Sequence, residues 1–157
     1  MTDRVSRRDK LTGLPNLAAW TDALASERTR RSRYRRPVVI MNVDVVGTER
    51  TNRRFGRAAG DELLLAAARL LRSSLRDADL VARIGPDEFG VLMPETHPEA
   101  MEPIVARLHE AAASWRFSRP ELRLELAIGW AAPEPFGGLE RARHEALARI
   151  RLARPGA

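Results

Sequence analysis

Two apolar stretches, residues 80–84 and 89–93, flank the tetrapeptide Gly85-Pro86-Asp87-Glu88. The pattern predicts a β-hairpin with a tight turn, which commits the chain to a sheet. Gly85 and Pro86 are expected to supply the unusual and the fixed backbone angles of that turn. Its tip carries two adjacent carboxylates, Asp87 and Glu88. Like charges side by side repel, and a divalent cation between them removes the penalty. The plainer alternative is a solvated acidic turn, which is common.

The rest of the chain builds around the hairpin. Residues 1–8 are polar and expected to be unstructured, and the whole of 1–157 reads as one domain. Asp9-Lys10-Leu11-Thr12-Gly13-Leu14-Pro15-Asn16 reads as a compact turn ending in a good helix N-cap. A helix is predicted over 17–29, followed by a basic connector over 28–36 read as a solvated loop and stopped by Pro37. Residues 38–43 form a nearly continuous apolar run of strand length, closed by Asp44, so a central strand buried on both faces is expected there. A carboxylate at the end of such a strand is a common place for catalytic groups. Helices follow over 49–55 and 59–75, the second with Leu63, Ala66, Ala67, Leu70 and Leu71 on one stripe. Beyond the hairpin, a helix over 98–115, an alternating strand over 122–130 and a terminal helix over 139–153 complete an α+β fold with a mostly antiparallel sheet.

Charge and composition exclude some functions. No apolar run is long enough for a membrane span and none resembles a signal segment, so a cytoplasmic protein is expected. Without cysteine there is no disulfide framework, thiolate metal site or thiol nucleophile. The net charge is +6, yet Lys10 is the sole lysine among 27 basic residues, as in chains from GC-rich genomes. No nucleic-acid-reading motif accompanies the charge, so nucleic acid is not expected as a partner.

Three separated motifs carry a resemblance. The opening turn looks like a DxLTGLPN motif, Gly85-Pro86-Asp87-Glu88-Phe89 looks like a GGDEF signature, and Asp44, Asn52, Phe55, Gly56, Gly60 and Asp61 keep matching order and spacing. Together they resemble the GGDEF family, the diguanylate cyclase domains, over nearly the whole chain. The resemblance implies a nucleotide-cyclase-like, palm or ferredoxin-like sheet. It also implies cyclic di-GMP synthesis from two GTP molecules held by two facing domains. In that reading Asp44, Asp87 and Glu88 match the ligands of Mg²⁺ or Mn²⁺, and Glu88 also the residue that activates the attacking hydroxyl. Asn52 and Asp61 match the guanine-reading pair, and Arg151 stands for a phosphate-binding lysine. Arg76-Asp77-Ala78-Asp79 fits the family's RxxD inhibitory site, with Arg107 in the place of its further arginine; such a site binds cyclic di-GMP.

The departures sit where phosphate would lie. Pro86 replaces the second glycine of the signature and brings a ring without an N–H. Glu49 stands in place of a lysine, and Val46, Gly47 and Thr48 replace acidic and aromatic residues; Arg53, Arg54 and Arg57 are candidate compensating cations. Three functions therefore stay open. One is a degenerate domain that binds cyclic di-GMP or GTP, with a ligand-promoted homodimer and an unidentified protein partner. The second is a working, slow diguanylate cyclase. The third is a nucleotide-independent interaction scaffold.

Overall fold

The computed structural model describes residues 6–133 and 138–153, the last three as helix backbone only. Helix α1 is Leu17–Tyr34, strand β1 Val38–Val45, helix α2 Thr48–Phe55 and helix α3 Arg57–Ser74. The hairpin is β2, Leu80–Arg83, and β3, Glu88–Pro94. A 3-10 turn, Pro98–Ala100, leads into α4, Met101–Ala113; β4 is Leu126–Ala131 and α5 Leu139–Ala153. The element order is the one expected from the sequence.

The four strands lie in the order β2-β3-β1-β4 with every neighbouring pair antiparallel. β1 is buried at every position. Its alternate residues feed two cores. Val39, Met41, Val43 and Val45 join the α3 leucine stripe and Met101 and Leu108 of α4. Val38 and Ile40 join Trp20 and Leu24 of α1 and Ala142 and Ala146 of α5. Helices on both faces explain why this antiparallel strand reads as a continuous apolar run rather than an alternation. Helix α5 sits directly on the sheet at Gly129, where any Cβ would collide with the Ala146 carbonyl and lie 2.7 Å from the Ile150 nitrogen.

Several expected boundaries move. The basic segment is not a loop: α1 continues to Tyr34 and ends at Arg35, whose φ of 49° is left-handed. Arginine is a good helix former, and nothing breaks the helix before Pro37. The ladder of β4 starts only at Leu126. Leu122 and Leu124 are buried and Arg123 and Glu125 exposed, so the alternation is real, but only the Glu125 carbonyl is engaged by β1's exit, accepting from Val46 N–H at 2.9 Å. The predicted helix over 98–115 splits into the 3-10 turn and α4. Residues 1–5 of the segment expected to be unstructured lie outside the described residues. Arg8, by contrast, bridges to Pro15, and the Arg7 carbonyl accepts from Asn16 N–H at 3.0 Å.

Candidate functional site

Asp44, next to last in β1, faces Glu88 on β3 and Ala127 on β4 in the ladder register. Directly opposed residues share a face with Cβ atoms about 5 Å apart, so strand pairing alone brings these two carboxylates together. Asp44 is 3% exposed and Glu88 half-buried. Asp87 is fixed through its backbone, its carbonyl accepting Val45 N–H at 2.9 Å. Its side chain lines a cleft of about 420 Å³ formed with the loop Val45-Val46-Gly47-Thr48 and with Glu49, Arg50 and Arg53 of α2. Gly47 is the N-cap of α2, with φ 79° and no side-chain cap hydrogen bond. Among the described residues no three carboxylates or imidazoles gather into a metal-sized cluster. Strand register brings together the carboxylates of Asp44 and Glu88 alone, two oxygen donors of the type that suits Mg²⁺ or Mn²⁺.

Asn52 and Asp61 come from α2 and α3, and both are half-buried. The Asn52 amide lies flat on Gly60, where a Cβ would run into it, and its Oδ1 is buried without a partner. Close packing against Gly60 is what leaves that oxygen shut in. Neither residue is part of the lining of the Asp87 cleft. Arg53 turns into that cleft, whereas the Arg54 guanidinium lies over the Phe55 ring, 5.0 Å from its centroid. The side chain of Arg151 lies outside the described residues.

The turn itself differs from expectation in one respect. Gly85 is not left-handed; among the described residues the glycines with positive φ are Gly13, Gly47 and Gly56. Gly85 is small for another reason: a Cβ there would come within 3.2 Å of the Glu88 Cβ. The turn is held instead by Arg83. Its Nη2 donates to the Pro86 carbonyl at 2.6 Å and its Nη1 to Asp9 Oδ1 at 3.1 Å, while its backbone N–H donates to the Pro15 carbonyl at 2.9 Å. Burial pushes the Asp9 carboxyl up, but the Thr12 N–H and hydroxyl and the Arg83 guanidinium outweigh it and hold Asp9 below its ordinary value.

At the other end of the hairpin, Arg76, Asp79 and Arg107 line one cleft of about 480 Å³ together with Met93, Thr96 and Ile104. The side chain of Asp79 is 1% exposed and that of Arg76 53%. Asp79 accepts from Arg76 Nη2 at 2.8 Å and from the Arg76 backbone N–H at 3.0 Å. Arg76 Nη2 also reaches the Pro94 carbonyl and Thr96 Oγ1, at 2.9 and 2.8 Å. This pairing raises the pKa of Arg76 further, so it stays cationic. Asp79 is thus a bracket that aims Arg76, while Arg76 and Arg107 present the accessible donors. Arg72 supports the loop from behind, donating to the Asp79 and Arg76 carbonyls at 3.0 and 2.6 Å. Arg72, Arg83, Thr96 and Arg50 escaped the sequence reading, because one arginine among so many carries no signal until its partner is placed.

A family model described as "Diguanylate cyclase, GGDEF domain" matches residues 6–152. The chain belongs to the GGDEF-domain family. It is 42% identical over 109 residues to the diguanylate cyclase DgcP of Pseudomonas aeruginosa, covering 69% of this chain and 16% of that protein. To the probable diguanylate cyclase DgcC of Escherichia coli K12 it is 31% identical over 132 residues, 83% of this chain and 36% of that one. The chain therefore spans well under half of either relative. The crystal structure of the diguanylate cyclase SiaD from P. aeruginosa, in complex with its activator SiaC, superposes with a TM-score of 0.86 at 29% identity. That match covers 94% of this chain and 58% of SiaD. In the signature turn Pro86 is exposed, and Glu49 lines the Asp87 cleft together with Arg50 and Arg53.

Proposed function

We propose that this GGDEF domain acts in cyclic di-GMP signalling as a cytoplasmic binding module, with residues 1–157 forming one domain. Its ligand is cyclic di-GMP, held at Arg76, Asp79 and Arg107. The observation that supports this reading is the convergence of those three residues on one cleft. Arg107 donates to the Ser74 carbonyl at 3.0 Å through Nη2, and Arg76 offers a half-exposed guanidinium. Two planar cations about a cleft of this size suit phosphodiester oxygens and the guanine Hoogsteen edge. Cyclic di-GMP titrated into the parent chain and into Arg107→Ala and Arg76→Ala tests the reading. Binding in the tens of micromolar or tighter, roughly −6 kcal/mol or better, that either variant weakens tenfold supports it. No binding sinks it, and no turnover besides leaves an interaction scaffold.

The second reading is a slow diguanylate cyclase, favoured by the register that places Asp44 opposite Glu88. In it Asp44, Asp87 and Glu88 would hold Mg²⁺ or Mn²⁺, which supplies positive charge to orient a triphosphate and stabilise the departing pyrophosphate. Glu88 would activate the attacking hydroxyl, Asn52 and Asp61 would read guanine, and Arg50, Arg53 and Arg151 would meet phosphate. Incubation with GTP and Mg²⁺, with cyclic di-GMP as the readout, separates the two readings.

A further inference from the structure

Arg76 is gripped by a piece of chain 18 to 20 residues further on. Its Nη2 carries two hydrogens and faces three oxygens: Asp79 Oδ1 at 2.8 Å, the Pro94 carbonyl at 2.9 Å and Thr96 Oγ1 at 2.8 Å. Its Nε is directed at Asp79 Oδ2, 3.4 Å away. The Nε–Nη2 edge of the guanidinium is therefore spent inside the protein. Among the described residues no acceptor meets Nη1, which is the nitrogen left for a ligand in the cleft. Thr96 is 5% exposed, and its hydroxyl has a fixed sense. Arginine has no acceptor, so the hydroxyl accepts from Nη2 and sends its own hydrogen to the Pro94 carbonyl at 3.2 Å.

A second observation lies between those two acceptors. Glu95 has φ 52°, one of two non-glycine residues with positive φ among the described residues. It follows the last residue of β3, and the left-handed corner it makes leaves the Pro94 carbonyl and the Thr96 hydroxyl on the same guanidinium nitrogen. Such backbone is disfavoured at a residue with a side chain and tends to persist where a site needs the geometry. The Glu95 carboxylate itself bonds Arg36.

We infer that Thr96 is a positioning residue of the Arg76 cleft: by taking Nη2 it turns Nη1 toward the ligand. The inference rests on the reading of this cleft as a cyclic di-GMP site, while the positioning itself belongs to the free chain. Asp79 cannot do this alone. It sits in the same short loop as Arg76, between α3 and β2, and follows that loop when it shifts. Thr96 stands at the exit of β3 and ties the cation to the sheet. Half-exposed as it is, Arg76 would otherwise sample many rotamers and lose more freedom on meeting a ligand.

Two measurements on the full chain test this. Without ligand, NMR of arginine-labelled protein reads the rotation of the Arg76 Nη groups. Rotation is expected to be about tenfold faster in Thr96→Val than in the parent, and parent-like in Thr96→Ser, which keeps the hydroxyl. With cyclic di-GMP, calorimetry is expected to show affinity about fivefold weaker in Thr96→Val and in Thr96→Ala, with Thr96→Ser again like the parent. In an Arg76→Ala background Thr96→Val should change nothing, because the bond it deletes is already gone. The inference is overturned if Thr96→Val leaves Arg76 rotation or ligand affinity as in the parent, or if it weakens binding as much without Arg76 as with it. Absence of binding by the parent overturns the reading of the cleft and the inference with it; binding that the loss of the hydroxyl leaves untouched overturns the inference alone.

Discussion

Arg83 ties three pieces of chain together: the Asp9 carboxylate, the Pro15 carbonyl and the Pro86 carbonyl. Its side chain is 16% exposed and that of Asp9 19%, so water screens the pair only partly. Arg83→Ala is expected to cost about 2 kcal/mol in urea denaturation, because it strands a carboxylate and frees the signature turn. The pH dependence follows from Asp9. Its folded pKa is depressed, so its contribution is present above the unfolded value of about 4 and is lost as pH falls through the lower folded one. Asp9→Asn should therefore be less stable than the parent near neutral pH, and the gap should close in acid; denaturation curves at both ends check this. If the domain is a slow cyclase as in the second reading, Pro86→Gly with Glu49→Lys is expected to raise cyclic di-GMP formation by about a hundredfold, because the exchange returns a backbone N–H to the signature turn and a cation to the Asp87 cleft. A double variant no faster than the parent refutes that account. At this scale the sequence was informative where spacing is fixed along the chain. Arg76 and Asp79 at i and i+3 were legible, but the bracket role of Asp79 was not, since burial to 1% depends on packing from Thr96 and β3.

Elements were legible where apolar period and breakers agree, as in β1, α3 and the hairpin. They were misread where a strong charge pattern suggested solvent. The arginines of α1 lie on a helix that needs only Trp20, Leu24 and the buried Glu27 inward, leaving the rest free to be polar. Arg35 closes that helix in a conformation glycine adopts at no steric cost. Arg35→Gly is thus expected to raise stability by up to about 1 kcal/mol, read as a higher thermal midpoint. The opposite sign is expected at Gly129. An added methyl meets the backbone of α5 rather than a movable side chain, so Gly129→Ala should cost about 2–3 kcal/mol in the same measurement. No periodicity announces a glycine that another backbone touches; only the placed helix does.

On the scale of the molecule, the hairpin separates two chemistries. The acidic turn lies at one end and the Arg76 cleft at the other, because Leu80 pairs with Leu92 and Arg83 with Phe89. A ligand that completes its coordination from a second copy would gather there, with the Asp87 clefts left uncovered. Cyclic di-GMP is accordingly expected to double the mass seen by light scattering in the parent chain and not in Arg107→Ala. The α+β architecture followed from the order of elements, whereas the clefts did not, since each is made by residues far apart in sequence. The tie between the opening turn and the hairpin has a mechanical side. Arg8 bridges to Pro15, Pro15 bonds Arg83, and Arg83 grips Pro86. Each link is a single short bond, so the opening turn and the turn that carries Asp87 and Glu88 are riveted into one piece although they lie far apart along the chain.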